Sequence, residues 1–328
     1  MIGFCQFGAG RIGAIHAGNI AGRPDARLQI VVDPDRAAAE RLAGRYGAAV
    51  GSQAEALADP TVNAVVIASS TDTHADLLEA AARAGKAVFC EKPLDLDRRR
   101  AEACLAVAQE CGVPLMVGFN RRFDPSFARL EREIRDGRLG RLELLTITSR
   151  DPAPPPIEYV RRSGGLFRDM MIHDFDMARW LLGEEPVEVF AAASVLVDPA
   201  IGEAGDVDTA VVTLRTQSDA LCQISNSRRA IYGYDQRIEA LGSKGALRAE
   251  NMVESTVSFA GPDGIISDKP LPFFLERYAD AYRRELDHFI GAIASGAAPL
   301  VGGGDGVKAL ALADAALGSF RTGRPVRV

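Results

Sequence analysis

Short apolar runs alternate with alanine-rich amphipathic stretches through the first 120 residues, the pattern of repeated strand–helix units around a parallel sheet. The runs predict strands at 2–7, 28–32, 64–68, 87–90 and 114–118, with a short one near Ala48. Between them, helical spacing predicts helices at 12–21, 36–46, 75–84 and 97–111, the third closed by Gly85. Such crossovers imply a doubly wound α/β sheet, with its ligand crevice at the carboxyl ends of the strands.

Beyond residue 120 the rhythm changes. After a helix at 126–135, a strand at 142–149, a proline-rich break at 152–156 and a helix at 169–182, strand signals follow in close succession. They fall at 187–197, 208–216, 220–227, 237–241, 245–250 and 254–259, joined by turns such as Gln217-Ser218-Asp219, which implies a predominantly antiparallel open sheet in an α+β domain. Two helices close the chain, at 275–294 and 306–319, and the second is free to return to the first domain. The division expected is therefore residues 1–120 and residues 121–328.

Composition narrows the possibilities. With 47% hydrophobic and 25% charged residues, the 328-residue chain needs no staples to fold. A net charge of −6 supplies no field for phosphate backbones or anionic lipid, so neither nucleic acid nor membrane is an expected partner. Five cysteines lack a C-x-x-C pair or zinc-ligand spacing, so reduced packed thiols and no metal are expected. No apolar run reaches the ~20 residues a bilayer span requires, and Met1 leads straight into a strand-like segment, so a cytoplasmic protein is expected.

Gly8-Ala9-Gly10-Arg11-Ile12-Gly13 lies directly between a predicted strand and a predicted helix. In that context the glycines permit a tight turn, close approach of backbone to a pyrophosphate, and close packing of helix on sheet. Asp33 ends the second strand 20 residues after Gly13, where a carboxylate accepts hydrogen bonds from the adenosine ribose. Gly8, Gly10, Arg11, Ile12 and Asp33 are thus candidate cofactor contacts. Asp33 favours NAD over NADP, although Arg36 offers some countercharge to a 2′-phosphate.

Lys92, in Glu91-Lys92-Pro93, follows the strand at 87–90 on the crevice side, where an ammonium stabilises charge as alcohol and carbonyl interconvert. Asp169 and His173 stand four residues apart, on one face if the segment is a single helix. His173, among Asp169, Asp174 and Asp176, is suited to take a hydroxyl proton as a hydride leaves. Of the other three histidines, His16 and His74 read as cofactor neighbours or caps and His288 as structural.

The glycine loop with His16, Glu91-Lys92-Pro93, the segment Gly118-Phe119-Asn120-Arg121-Arg122-Phe123-Asp124, and Asp169 with His173 together resemble the glucose-fructose oxidoreductase and inositol dehydrogenase superfamily over nearly the whole chain. The stretch 167–179 and Tyr232-Gly233-Tyr234-Asp235-Gln236-Arg237 are similar to the inositol 2-dehydrogenases within it. The resemblance implies NAD-dependent oxidation of a secondary hydroxyl of a cyclic polyol, myo-inositol to its 2-keto derivative (scyllo-inosose) before other inositols or sugars. It implies Lys92, Asp169 and His173 as the catalytic group, Ser69, Thr71, His74 and Glu91 along the dinucleotide, and Asn120, Arg122, Asp151 and Tyr232 near the substrate. It also implies a homo-oligomer, a dimer or tetramer, built through the open sheet. The proline loop at 152–156 and Arg168 depart from the common pattern on the substrate side. A non-catalytic dinucleotide-binding sensor and an enzyme using NAD transiently remain alternatives of other classes.

Overall fold

The computed structural model describes residues 1–328. They form two compact units, Met1–Asn120 with Ala281–Leu310, and Arg121–Asp280 with Ala311–Val328. The segment 281–310, expected with residues 121–328, thus groups with residues 1–120.

In the first unit, six parallel strands, β1 (Ile2–Phe7), β2 (Ala26–Val32), β3 (Ala49–Val50), β4 (Ala64–Ile67), β5 (Ala87–Cys90) and β6 (Leu115–Val117), run in the order β3-β2-β1-β4-β5-β6. β4 and β5 are buried throughout, which is why they read as unbroken apolar runs without alternation. Asp35 and Asp97 cap the helices Arg36–Tyr46 and Arg98–Cys111, and left-handed Gly47 and Gly112 end them. A short helix at Gln53–Ala58, not expected from periodicity, is announced by the Ser52–Glu55 capping box. The helix Ala279–Ser295 packs Phe289 against Phe4 and Phe89, and Val117 N–H donates to the Val301 carbonyl.

The second unit holds β7 (Leu142–Arg150), β8 (Pro186–Ser194), β9 (Thr209–Thr216), β10 (Leu221–Ser227), β11 (Asp235–Gly242) and β12 (Gly245–Ala249). A ribbon follows, β13 (Ser258–Gly261) with β14 (Gly264–Ser267), and β15 (Val326–Arg327) comes last. The sheet order is β12-β11-β7-β10-β9-β8-β15, antiparallel except between β7 and β10. One face is core, with Leu145, Ile147, Val212, Leu214, Cys222 and Ile224 essentially inaccessible. The opposite face leaves Leu144, Phe190, Val211, Leu221 and Leu241 each more than a third exposed.

Three expected elements differ. The strand signal at 254–259 gives β13, which pairs only with β14 and does not join the main sheet. The helix expected at 275–294 is two, Phe274–Arg277 and Ala279–Ser295, because buried Tyr278 turns out of helical geometry and its hydroxyl bonds Gln236 at 3.2 Å. The helix expected at 169–182 is also two, Gly165–Asp169 and Ile172–Leu182. At the break Met171 N–H reaches back five residues to the Leu166 carbonyl, and His173 N–H reaches the Met170 carbonyl three residues back. Asp169 and His173 therefore do not share a face of one continuous helix, and the spacing argument is corrected: Asp169 ends one helix and His173 lies in the first turn of the next.

Candidate functional site

In the first unit, strand order reverses between β1 and β4, so the segments that leave these strands border the crevice where such sheets take ligands. Gly8 leaves β1 at φ +93°, and a Cβ there would lie 2.4 Å from the Ala68 carbonyl oxygen, so only glycine brings the loop this close to the end of β4. A Cβ on Gly13 would stand 2.0 Å from the Gly8 carbonyl oxygen, whereas one on Gly10 would meet nothing within 4 Å. Gly10 is also the N-cap of the helix Arg11–Ala21 and provides no capping side chain, so open space lies before that helix start, opened by Arg11 and Ile12. This cradle fits a pyrophosphate, and the residues present fit the dinucleotide expected from them.

Asp33 follows β2 and accepts Ala9 N–H at 2.6 Å on one oxygen and Asp35 N–H at 2.7 Å on the other. Each oxygen keeps a lone pair for a ribose hydroxyl. Arg36, weighed as countercharge to a 2′-phosphate, pairs instead with Glu40 at 2.8 Å. Asp33→Ala is expected to weaken NAD binding more than NADP binding, read by titrating each cofactor; an unchanged ratio refutes the ribose role.

After β4, the Ser69 hydroxyl meets Thr73 at 2.6 Å and Thr71 opens a short 3₁₀ turn, Thr71–Thr73. His74 is buried, with Nδ1 at 2.8 Å from the Pro93 carbonyl oxygen and Nε2 at 3.2 Å from that of Ser69. Burial pushes its pKa down, and the neutral ring has one N–H to donate, so it bonds one of these two carbonyls and packs against the other. Glu91 and half-buried Lys92 follow β5. The Glu91 carboxylate turns inward to His16, with Oε1 at 2.7 Å from Nε2, into space that exists because residue 118 is glycine: a Cβ there would lie 2.8 Å from Glu91 Oε2. Asn120, also buried, ends the first unit's leading segment.

In the second unit, Asp169 accepts the Tyr159 hydroxyl at 2.7 Å on Oδ1 and Arg228 Nη2 at 3.2 Å on Oδ2. Arg228 is almost wholly buried, and its Nη1 stands 3.8 Å from Asp151, just beyond the end of β7. Burial pushes the Asp151 carboxyl up to about 6, with Asp169 adding to the rise and Arg228 opposing it. Burial and the Asp169 charge likewise push the Tyr159 phenol up, keeping it a hydrogen-bond donor. His173 follows Asp169 in this stretch, and adjacent Asp174 is held by Arg121 at 2.5 Å and Asn226 at 2.9 Å.

Other residues singled out in the sequence take structural partners. Arg122 is buried and forks onto Asp176 at 2.8 and 2.5 Å, an ion pair that braces the turn after Asn120. The Tyr232 hydroxyl donates to Asp235 at 2.6 Å and accepts from Arg150 at 2.9 Å. Arg168 points to Asp314, 2.6 Å away. Tyr159 and Arg228 were not singled out from the sequence. Tyr159 carries no pattern of its own, but Arg228 extends the inward alternation Cys222, Ile224, Asn226 of β10, a signal that a side chain placed next on that face is buried.

Residues 2–119 match the model of an oxidoreductase family with an NAD-binding Rossmann fold, and residues 127–248 match the GFO/IDH/MocA C-terminal domain. The chain is 55% identical to an inositol 2-dehydrogenase of Rhizobium meliloti over 99% of this chain and 98% of the relative. It is 49% identical to a myo-inositol 2-dehydrogenase of Thermotoga maritima over 98% and 97% of the two chains. A solved myo-inositol dehydrogenase structure from Corynebacterium glutamicum matches with a TM-score of 0.96 at 44% identity, covering 100% of this chain and 99% of that one. The glycine cradle, the strand order and these matches agree: the chain belongs to the GFO/IDH/MocA oxidoreductase family, whose first domain is an NAD-binding Rossmann fold.

Proposed function

We propose that the protein oxidises a secondary hydroxyl of a cyclic polyol with NAD, myo-inositol to its 2-keto derivative. The observation that carries this reading is the clamped Asp169, a carboxylate held by Tyr159 and Arg228, with the half-buried Asp151 carboxyl on the other side of the same guanidinium. Such groups suit a ligand covered in hydroxyls, because an epimer that misplaces one leaves a buried polar atom unpaired. The names of the relatives above support the choice of inositol.

When bound, NAD supplies the acceptor for the hydride that leaves the carbinol carbon. His173 takes the hydroxyl proton, and the Lys92 ammonium hydrogen-bonds the same oxygen and stabilises its negative charge as the carbonyl forms. Asp169 orients the substrate side of this arrangement and does not change its charge. The products are ketone, NADH and one proton. Ser69, Thr71 and the glycine loop line the dinucleotide, and Asn120, Asp151 and Tyr232 are the polyol-side contacts of this reading. We further infer that copies associate through the half-exposed apolar face of the second unit's sheet into a dimer or tetramer. A cytoplasmic setting suits the five free cysteines, and no helix is long and apolar enough to cross a membrane.

The test is absorbance of reduced nicotinamide with purified protein, NAD or NADP, and a panel of inositol isomers, hexoses and amino sugars. Net NADH formed preferentially with myo-inositol is the expected result. If no polyol or sugar yields reduced cofactor although NAD binds, the dehydrogenase assignment fails.

A further inference from the structure

Within the first unit two carboxyl groups and an imidazole meet in the interior. His16, Glu91 and Glu285 each bring a polar atom within 4.8 Å of the other two. Glu285 lies on the helix Ala279–Ser295, is completely buried, and neither of its oxygens has a hydrogen-bond partner; His16 Nδ1 also has none. The surroundings are aromatic: Phe89 lies 4.8 Å and Tyr282 5.8 Å from the His16 ring, with Phe289 behind Phe89.

A metal ion does not fit this arrangement. It needs each donor at about 2.0–2.2 Å around a common centre. His16 Nε2 and Glu91 Oε1 are already in direct hydrogen-bond contact at 2.7 Å, which leaves no place for an ion between them. An ionised Glu285 does not fit either, because it would set a second negative charge near Glu91 at a fully buried, largely aromatic position. Burial, and then the Glu91 charge, push the Glu285 carboxyl well above its ordinary value, so it keeps its proton at neutral pH. A protonated carboxyl has a donor to place, and His16 and Glu91 each bring a polar atom within 4.8 Å of it, near enough for a hydrogen bond after a side-chain rotation or through one bridging water.

We propose that Glu285 is a positioning residue of the dehydrogenase: as a neutral carboxylic acid it donates a hydrogen bond into the His16–Glu91 pair and so holds the turn from which Lys92 projects. The link to Lys92 is short. Glu91 N–H donates to the Ile67 carbonyl at 2.9 Å, its side chain fills the space beside Gly118, and Lys92 is the next residue. With Glu91 tied at both ends, the direction of the Lys92 side chain is set from the interior. The proposal rests on the role given above to Lys92.

The experiment compares Glu285→Leu and Glu285→Gln in the full chain. Glu285→Leu is expected to keep NAD affinity within about threefold while kcat falls about tenfold or more and KM changes little, since displacement of a catalytic group acts on kcat. Glu285→Gln, which keeps a donor and no charge, is expected to recover most of that loss. Infrared spectra should show the carbonyl stretch of a protonated carboxylic acid at neutral pH, lost in Glu285→Gln. This band is read without any substrate, so it stands or falls separately from the polyol assignment. Absence of the band in the unsubstituted protein, a divalent metal that copurifies stoichiometrically and is lost in Glu285→Gln, or an unchanged kcat in Glu285→Leu each overturns the proposal. If Glu285→Leu does not fold, the infrared band together with kcat of Glu285→Gln decides: a glutamine variant impaired as strongly as expected for leucine overturns it.

Discussion

Replacing His173 by alanine is expected to lower kcat about a hundredfold or more, and Lys92→Ala is expected to do the same, the range for removing a positioned acid–base or charge-stabilising group. The two losses should differ in their pH dependence. Without His173 the hydroxyl proton must go to solvent, so the residual rate of His173→Ala should climb with pH as hydroxide becomes available. Without Lys92 the developing charge on oxygen has lost its partner at every pH, and no such recovery is expected. KM for NAD should stay close to that of the unsubstituted protein in His173→Ala, because the cofactor cradle is built from Gly8, Gly10 and Asp33. Steady-state kinetics across pH checks all of this. A near-normal rate in either variant removes that residue from the mechanism.

Arg228→Leu is expected to cost about 3–5 kcal/mol of unfolding free energy at neutral pH, the loss found when one partner of a buried ion pair is removed. The guanidinium is 2% exposed and pairs with Asp169 at 3.2 Å and Asp151 at 3.8 Å, so its removal takes a buried cation from beside two carboxyl groups that repel each other. The direction of the pH dependence follows from Asp151. Its folded pKa, about 6, already lies above the unfolded value, and losing Arg228 raises it further. A carboxyl raised on folding leaves stability intact at low pH and subtracts from it as pH climbs through the folded value. The deficit of Arg228→Leu should therefore be smaller at pH 5 than at pH 8, which urea unfolding at the two pH values measures. An equal deficit at both would mean that Arg228 stabilises by packing and not by charge. Activity should fall as well, since Asp169 loses its hydrogen bond from Arg228.

Much of the first unit was legible because its strands are buried on both faces and its helices on one, so burial imprints itself on the chain as runs and periods. The glycine loop and Asp33 were legible for another reason: a tight turn into a helix needs glycines at fixed spacing, and Asp33 follows the neighbouring strand of the same sheet at a fixed distance along the chain. What escaped were decisions made by distant partners. Amphipathicity shows that the helix near residue 285 buries one face, but not that this face meets Phe4 and Phe89. The resemblance places Arg122 near the substrate, but its ion pair with buried Asp176 is one that only the fold brings to it. The spacing of Asp169 and His173 suggested one helical face, and a single five-residue backbone hydrogen bond at Met171 undid it. Tyr159 follows a proline-rich loop whose path carries no period at all.

The grouping of Ala281–Leu310 with Met1–Asn120 bears on how the chain is made. Residues 1–120 leave the ribosome early, but Phe289 and Val301, which close their hydrophobic surface and bond the edge strand β6, come after the 160 residues of segment 121–280. At about 5–20 residues per second that is a wait of roughly ten to thirty seconds. During this interval the nascent cofactor domain presents Phe4 and Phe89 without their cover, and strands β7 to β12 of the second unit can pair before the first unit is closed. The domain that comes first in the sequence is thus closed only after most of the second unit has been made, and a chain arrested at residue 280 is expected to leave Phe4 and Phe89 uncovered.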